Sequence, residues 1–355
     1  MKTLIIGAGI TGLSAARRLL ELGISPDNIH ITDKSRGIGG RMASRRLQTP
    51  FGTATFDHGA QFFTTRSEAF KNLLTAAEQA SAVRVWTRGF AANEDGYARW
   101  CGSTGMTGLC KWMATDAGLD IAFQTPVINL GEHLKQNRYD AVIHTAPVPQ
   151  ALATLIGGRL PPPDLARRLA EIHYHATLTV MLATSNHSSG LGPGGAAQFV
   201  DHPDLAFVTD NHAKGISSIP AVTIHLTNAR SEALWSAPDD QVVNYAMKAA
   251  AEQLGDASDP NDVLASSVQR WRYADPVTCW PDKYVTWGET PRIVLAGEAF
   301  DGPRVEGGFL SGRAAADALL GERRLTISRP ASNYLFAHAG TTIEKNDTER
   351  VLTFR

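Results

Sequence analysis

The sequence predicts an α/β protein, and three observations carry that expectation. The first residues read as a buried strand, a glycine-rich turn and a helix. A second apolar strand ending in an acid follows closely. Near residue 300, a strand, a glycine-bearing loop and an Ala- and Leu-rich helix repeat the pattern. At 355 residues the chain is long enough for two domains with sizeable cores.

Lys2 to Ile6 is the predicted first strand. Gly7-Ala8-Gly9-Ile10-Thr11-Gly12 leads from it into a helix through Leu22, with Leu13, Ala16, Leu19 and Leu20 at helical spacing. Asn28 to Thr32 is the second strand, and it ends at Asp33 and Lys34. Each part of this fingerprint has a physical task. Gly7 permits the tight turn, Gly9 lets a diphosphate approach the backbone, and Gly12 lets helix and strand pack closely. The free N–H groups at the helix start, from Ile10 onward, favour an anion. Asp33 is placed to accept hydrogen bonds from an adenosine ribose.

A second glycine cluster, Arg36-Gly37-Ile38-Gly39-Gly40-Arg41-Met42, discriminates between NAD and FAD. A plain NAD domain continues here into an ordinary helix. Glycines instead let the chain pass close to the dinucleotide, and Arg41 supplies a forked cation for phosphate. The expected cofactor is therefore FAD. Further on, Ile293 to Ala296 is an apolar strand, followed by Gly297-Glu298 and Glu306-Gly307-Gly308-Phe309, with a helix from Phe309 to Leu320. Such a unit can aim a helix N-terminus at the pyrimidine end of a flavin, where negative charge gathers on reduction.

Composition narrows the class. Lys+Arg number 34 against 35 Asp+Glu, so no overall basic field steers the chain onto nucleic acid or an anionic membrane. Three cysteines without CxxC spacing argue against a disulfide framework or a zinc site, and no metal is expected. No run approaches the ~20 apolar residues of a bilayer span. The apolar start resembles a signal peptide only faintly, being broken by Gly7, Gly9 and Gly12. A cytoplasmic enzyme acting on a small molecule is expected, with no signal for an oligomeric state.

These residues together resemble the glutathione-reductase-type flavoproteins of the amine-oxidase superfamily, the renalases in particular. The likeness is carried by Gly7 to Gly12, Asp33-Lys34, Gly39 to Met42, Asp57 to Thr64, Gly105-Met106, Val142 to Pro149, Arg270-Trp271, Arg304 to Gly307 and Ser311-Gly312, in order over residues 1 to about 320. It implies a FAD-binding Rossmann domain, discontinuous over 1–65, 103–150 and 291–322. An interleaved α+β substrate domain with a mixed sheet would come from 66–102 and 151–290, while 323–355 runs beyond the usual family ending as a C-terminal extension, read either as disorder or as a packing or dimer-forming segment. It further implies cofactor contacts at Thr11, Asp33, Arg41, Gln61, Phe62, Val127 on the adenine side, Gly297 and Phe309. Gly39, Gly40, Met42, Ala60, Glu298, Glu306 and Gly308 lie in the same matched segments. Glu298 stands where many relatives have Asp. With no cysteine near 297 to 309, a covalent flavin thioether is not implied.

The resemblance implies oxidation of isomeric dihydronicotinamides, 2- or 6-dihydro-NAD(P), to NAD(P)+ by hydride transfer to flavin, with dioxygen reoxidation giving hydrogen peroxide. A dihydropyridine gives up hydride because its product is aromatic, so the site needs positioning more than an acid–base pair. The absence of a G-x-S-x-G elbow or an H-E-x-x-H helix fits that chemistry. Two alternatives stand beside it: an oxidase of amines or another small electron-rich substrate, and a non-catalytic flavin- or NAD(P)-binding sensor.

His58, Gln61 and Arg66 follow the second flavin loop and are pocket candidates, with Gln61 placed there by family position. Trp271, Tyr273, Trp280 and Trp287, interleaved with Arg270, Arg272 and Lys283, either stack on a planar ring and hold its phosphates or are core aromatics with solvated charges. Gly192 to Ala197 mimics a second nucleotide fingerprint, but Pro193 and Gly195 mark a loop. His173 and His175 share a strand face and, without a third ligand at useful spacing, read as core or pocket histidines. Cys110 to Met113 reads as helix core. Thr177 to Ala183 and Val222 to Leu226 read as strands, and Gln241 to Leu254 as an amphipathic helix.

Overall fold

The computed structural model describes residues 1–90, 96–157, 159–192 and 194–327, with side chains to residue 321. The first strand, Thr3–Ile6, lies in a six-stranded sheet. The spatial order is Val285–Trp287, Arg292–Leu295, Ala141–His144, Thr3–Ile6, Ile29–Thr32 and Ile121–Ala122. Five of these strands run parallel, and Val285–Trp287 adds an antiparallel edge. Because strand side chains alternate, Leu4, Val142 and Ile293 bury one face against Leu130, Val148, Ala151 and Leu169. Ile5, Ile31, Ile143 and Val294 bury the other face against Ala15, Ala16, Leu19, Ala315, Ala316 and Leu319. Those last residues belong to the helices Ile10–Glu21 and Val305–Ile327. The second helix starts a turn earlier than Phe309, where the apolar pattern places it.

A second sheet, antiparallel throughout, has the order Ala196–Gln198, Leu205–Asp210, Ala221–Leu226, Tyr174–Thr184 and Val263–Pro276. The mixed sheet expected of the substrate domain is found instead as the six-stranded sheet, through its antiparallel edge strand. Leu178, Val180, Leu182, Val222 and Ile224 bury one face of the second sheet against the helix Asp239–Ala249. Met181, Ala183 and Ala221, on the opposite face, meet Ala54 and Phe56 of the hairpin Ser44–Thr49/Gly52–Asp57. That hairpin lies in the N-terminal segment but packs on the second sheet.

Gly195 has a left-handed φ of +63° and leads into the strand Ala196–Gln198, not a helix. His173 is exposed, contrary to a core or pocket placement, while His175 pairs across the sheet with Asp275. All three cysteines are free, and Cys110 is buried among apolar side chains that push its thiol up to about 12. Of the 323–355 extension, only the helical backbone of 323–327 falls within the described residues. Among the described residues no helix is long and apolar enough to cross a membrane.

The hairpin is locked to the second sheet by a fully buried ion pair, Lys214 Nζ to Asp57 Oδ2 at 2.8 Å. Asp57 Oδ1 accepts from the Ser44 hydroxyl at 2.6 Å and from the Met106 backbone N–H at 2.8 Å. Lys214 also donates to the Gln61 carbonyl at 2.5 Å and stands 4.5 Å from the centre of the Trp86 ring. Removing one buried partner strands the other charge, so Lys214→Met should cost about 3–5 kcal/mol in a urea unfolding experiment. Asp57→Asn/Lys214→Met should recover part of that loss, because no charge is then left alone.

Candidate active site

One cleft of about 1130 Å³ opens at the carboxyl ends of the parallel strands, where Ile6, Thr32 and His144 hand over to loops. Such sheet ends are where α/β folds bind ligands. Gly7 turns the chain at φ +113°, a conformation that L side chains rarely adopt. A Cβ on Gly12 would lie 1.9 Å from the Gly7 carbonyl oxygen, so the first helix can approach the first strand only with glycine there. A Cβ on Gly9 would meet nothing nearer than 3.9 Å, leaving its outer side open to the cleft. Gly9 caps that helix without any side-chain acceptor, so its first N–H groups remain free for a ligand.

Gly7, Gly9, Ile10, Thr11, Asp33, Lys34, Gly39, Gly40, Arg41, Met42, Ala60, Val127, Glu298 and Gly308 all line this cleft. Asp33 holds its own loop, accepting from the Ala8 and Ser35 backbone N–H groups at 2.7 Å each. Arg41 and Glu298 form a two-pronged pair, with contacts of 2.7 and 2.5 Å. Burial alone would push the Glu298 carboxyl up, but the Arg41 guanidinium holds it below the usual carboxylate range. Arg41 also donates to the Ala274 carbonyl at 3.1 Å, tying the second glycine loop to the antiparallel sheet. The long Glu298 side chain therefore reaches a cation of the protein itself.

Other expected residues lie off the cleft wall. Gly12 is buried under the Gly7 carbonyl, as its packing task requires. Glu306 accepts from the Arg66 and Ser67 backbone N–H groups and the Ser67 hydroxyl, which joins the last helix to the start of Glu68–Gln79. Burial raises its pKa less than those donors lower it, so it stays charged. Arg66 takes part through its backbone and its side chain is exposed, because the Glu306 clamp turns it outward. Phe309 sits in the core beside Phe70 and Leu13. Gly297 donates its N–H to the Ser311 hydroxyl at 2.8 Å, beneath the surface. Gln61 and Phe62 line a smaller neighbouring cavity, where Phe62 joins Phe90 and Phe207.

The wall opposite the glycine cradle is planar and neutral. His58 stacks on Trp271 with ring centres 5.3 Å apart and planes within 13°, and Trp271 Nε1–H donates to the His58 carbonyl at 2.8 Å. Burial, then nearby Arg45, lowers the His58 pKa to about 4. Its Nδ1 is buried without a protein partner. His225, at 2.9 Å from the Gln61 side-chain nitrogen, is lowered to about 3 by burial, His58 and Lys214. Tyr273 lines the same cleft, whereas Trp280 and Trp287 belong to the core behind the parallel sheet. Arg270 pairs with Asp239, Arg272 stacks over Trp235, and Lys283 lies 3.6 Å from Asp301. Those cations are spoken for.

His225, Thr177 and Asp275 are cleft residues without a sequence motif to mark them. Only strand alternation, which puts Thr223 and His225 on one face, could have raised His225 as a candidate.

His58, His144 and His225 are held neutral, with pKa values of about 4, about 4 and about 3. An unfolded histidine titrates near 6.5, so between those values the unfolded chain binds more protons and stability increases with pH. The thermal midpoint should therefore fall as pH is lowered from about 6.5 toward 4. A midpoint flat over that window would contradict the burial of these imidazoles.

A family model described as flavin containing amine oxidoreductase matches residues 80–320, and one described as an NAD(P)-binding Rossmann-like domain matches residues 5–77. Renalase of Mus musculus is 23% identical over 333 residues, covering 84% of this chain and 93% of that protein. Among solved structures, reduced UDP-galactopyranose mutase superposes with a TM-score of 0.65 at 13% identity, covering 93% of this chain and 96% of that one. Cyclohexylamine oxidase from Brevibacterium oxydans IH-35A gives 0.60 at 14%, covering 91% and 99%. A two-lobed cleft with a glycine cradle on one wall thus coincides with a family match over most of the chain: the protein belongs to the flavin-containing amine oxidoreductases, as a renalase-related flavin-dependent oxidoreductase.

Proposed function

We propose that the protein holds FAD and oxidises isomeric dihydronicotinamides, 2- or 6-dihydro-NAD(P), to NAD(P)+. In this reading residues 1–65, 103–150 and 291–322 hold the cofactor, and 66–102 with 151–290 supply the substrate wall together with His58 at the end of the hairpin. A dinucleotide suits a cleft that continues from the glycine cradle past Asp33 to Val127 and Gln150. Bound there, FAD supplies hydride acceptance and return of the electrons to dioxygen as hydrogen peroxide. Cytoplasmic action fits three cysteines that are all free.

The observation that carries the reading is the flat wall of His58, buried and stacked on Trp271 with its Nδ1 unpartnered. His58 and His225 are denied a proton by burial and by cationic neighbours. The same field opposes an alkylammonium ion, which would have to shed its proton to enter. A neutral dihydropyridine meets no such penalty. Trp271 and His58 offer flat surfaces to orient a ring, and the unpartnered His58 Nδ1 offers a hydrogen bond to a ring substituent. No residue has to move a proton during hydride loss, because aromatisation drives it.

The test is flavin absorbance on anaerobic mixing with borohydride-reduced NAD+, which contains the 2-, 4- and 6-dihydro isomers. Rapid bleaching by the mixture and none by pure 4-dihydro NADH is the expected result. Bleaching by a primary amine in place of the mixture would transfer the assignment to amine oxidation.

A further inference from the structure

Arg36, Arg45, Arg46 and Lys111 line the rim of the same cleft, and among the described residues none of them forms an ion pair. Arg45 is the best ordered by its contacts. Its guanidinium donates to the Ser267 hydroxyl at 3.0 Å and the Gln269 side-chain oxygen at 2.8 Å, both on the strand Val263–Pro276. These acceptors are neutral, so they fix the direction of the fork and leave its charge uncompensated. Arg36 lies near enough to add to burial in pushing the Arg45 pKa down. Arg36 and Arg45 thus both line the rim of the cleft without a carboxylate partner, an arrangement that an anion would relieve.

The position says which anion. Gln269 and Trp271 share a strand face two residues apart, about 7 Å at ordinary strand rise. Arg45 therefore stands about one strand repeat from the His58–Trp271 wall. The cofactor's own diphosphate has other donors: the free helix start after Gly9 and the Gly39–Gly40 loop.

We propose that Arg45 and Arg36 form a second phosphate grip, which binds the diphosphate of a dinucleotide substrate while its ring lies against the His58–Trp271 wall. The inference rests on the dihydronicotinamide reading for the identity of the ring, but the grip itself is defined by phosphate chemistry. Arg45 then sets specificity for dinucleotides over phosphate-free nucleosides, through a forked pair of charge-assisted hydrogen bonds.

The experiment compares flavin-loaded wild type with Arg45→Gln and Arg36→Ala. Binding of inorganic pyrophosphate is measured by calorimetry, and KM is measured for reduced dinucleotide and for the corresponding dihydronicotinamide riboside, which has no phosphate. The grip predicts pyrophosphate binding and dinucleotide KM weakened about ten- to a hundred-fold in Arg45→Gln, with riboside KM barely moved. The flavin-to-protein ratio should stay that of wild type. Equal losses for riboside and dinucleotide would make Arg45 a structural residue and overturn the proposal. So would loss of flavin, which would assign these cations to the cofactor, or pyrophosphate binding that does not differ between wild type and variants. If no dihydronicotinamide is oxidised by wild type, the functional reading falls, and the pyrophosphate measurement still decides the grip.

Discussion

Everything on the substrate side of the cleft depends on one buried salt bridge. Asp57 closes the hairpin whose next residue is His58, and Lys214 comes from the turn between two strands of the antiparallel sheet. A carboxylate and an ammonium taken wholly out of water cost far more than a surface pair, and here each is compensated several times over. Ser44, Met106 and Lys214 satisfy the carboxylate, while Gln61 and the Trp86 face share the ammonium. The Asp57 N–H donates to the Asn211 side-chain oxygen at 3.2 Å, and the Thr223 hydroxyl donates to the Asp57 carbonyl at 3.0 Å. The network fixes the backbone immediately before His58, so the ring that stacks on Trp271 inherits its orientation from a charge pair that never meets a ligand.

The same lysine shapes the electrostatics of the wall. Together with burial and His58 it lowers the pKa of His225, as Arg45 does for His58. The cleft therefore joins a neutral, flat surface to a cationic rim. Its opposite wall is made of backbone: free N–H groups, glycines and the Arg41–Glu298 pair. One wall suits a bound dinucleotide through main-chain approach, and the other suits a planar ring with negative charge trailing from it.

The cradle was legible in the sequence because its chemistry is backbone chemistry, and backbone demands leave glycines at fixed offsets. Gly7 and Gly12 are required by φ and by a contact that no side chain can survive, and such requirements can be read without knowing the rest of the fold. The strands were legible for a similar reason, since Leu4 and Ile5 must each find an apolar partner on opposite faces. Lys214 was not legible. It lies in Asp210-Asn211-His212-Ala213-Lys214-Gly215, a polar run that reads as a solvated turn, and its burial depends on Asp57 more than 150 residues away. Glu306 and Phe309 matched a family segment yet serve the joint between helices, because sequence position alone does not say which way a helical side chain points. The surroundings of Arg270 and Arg272 were illegible for the converse reason: their partners, Asp239 and Trp235, are remote in sequence.

The glycine cradle is made early on the ribosome, yet the sheet behind it is completed by the last helix among the described residues. Val305–Ile327 packs against Ile10–Glu21, and Ser14 donates to the Phe309 carbonyl at 2.6 Å across almost the whole chain. At about 5–20 residues per second, roughly 15 to 60 seconds separate synthesis of Gly12 from that of Val305. During that interval the nascent sheet lacks both the strand Arg292–Leu295, which pairs with Ala141–His144, and the helix end that faces the cleft. Cofactor capture is thereby made a late event, timed by chain completion, and a prematurely terminated polypeptide would expose the apolar faces of Ala15, Ala16 and Leu19 to the quality-control machinery of the cell.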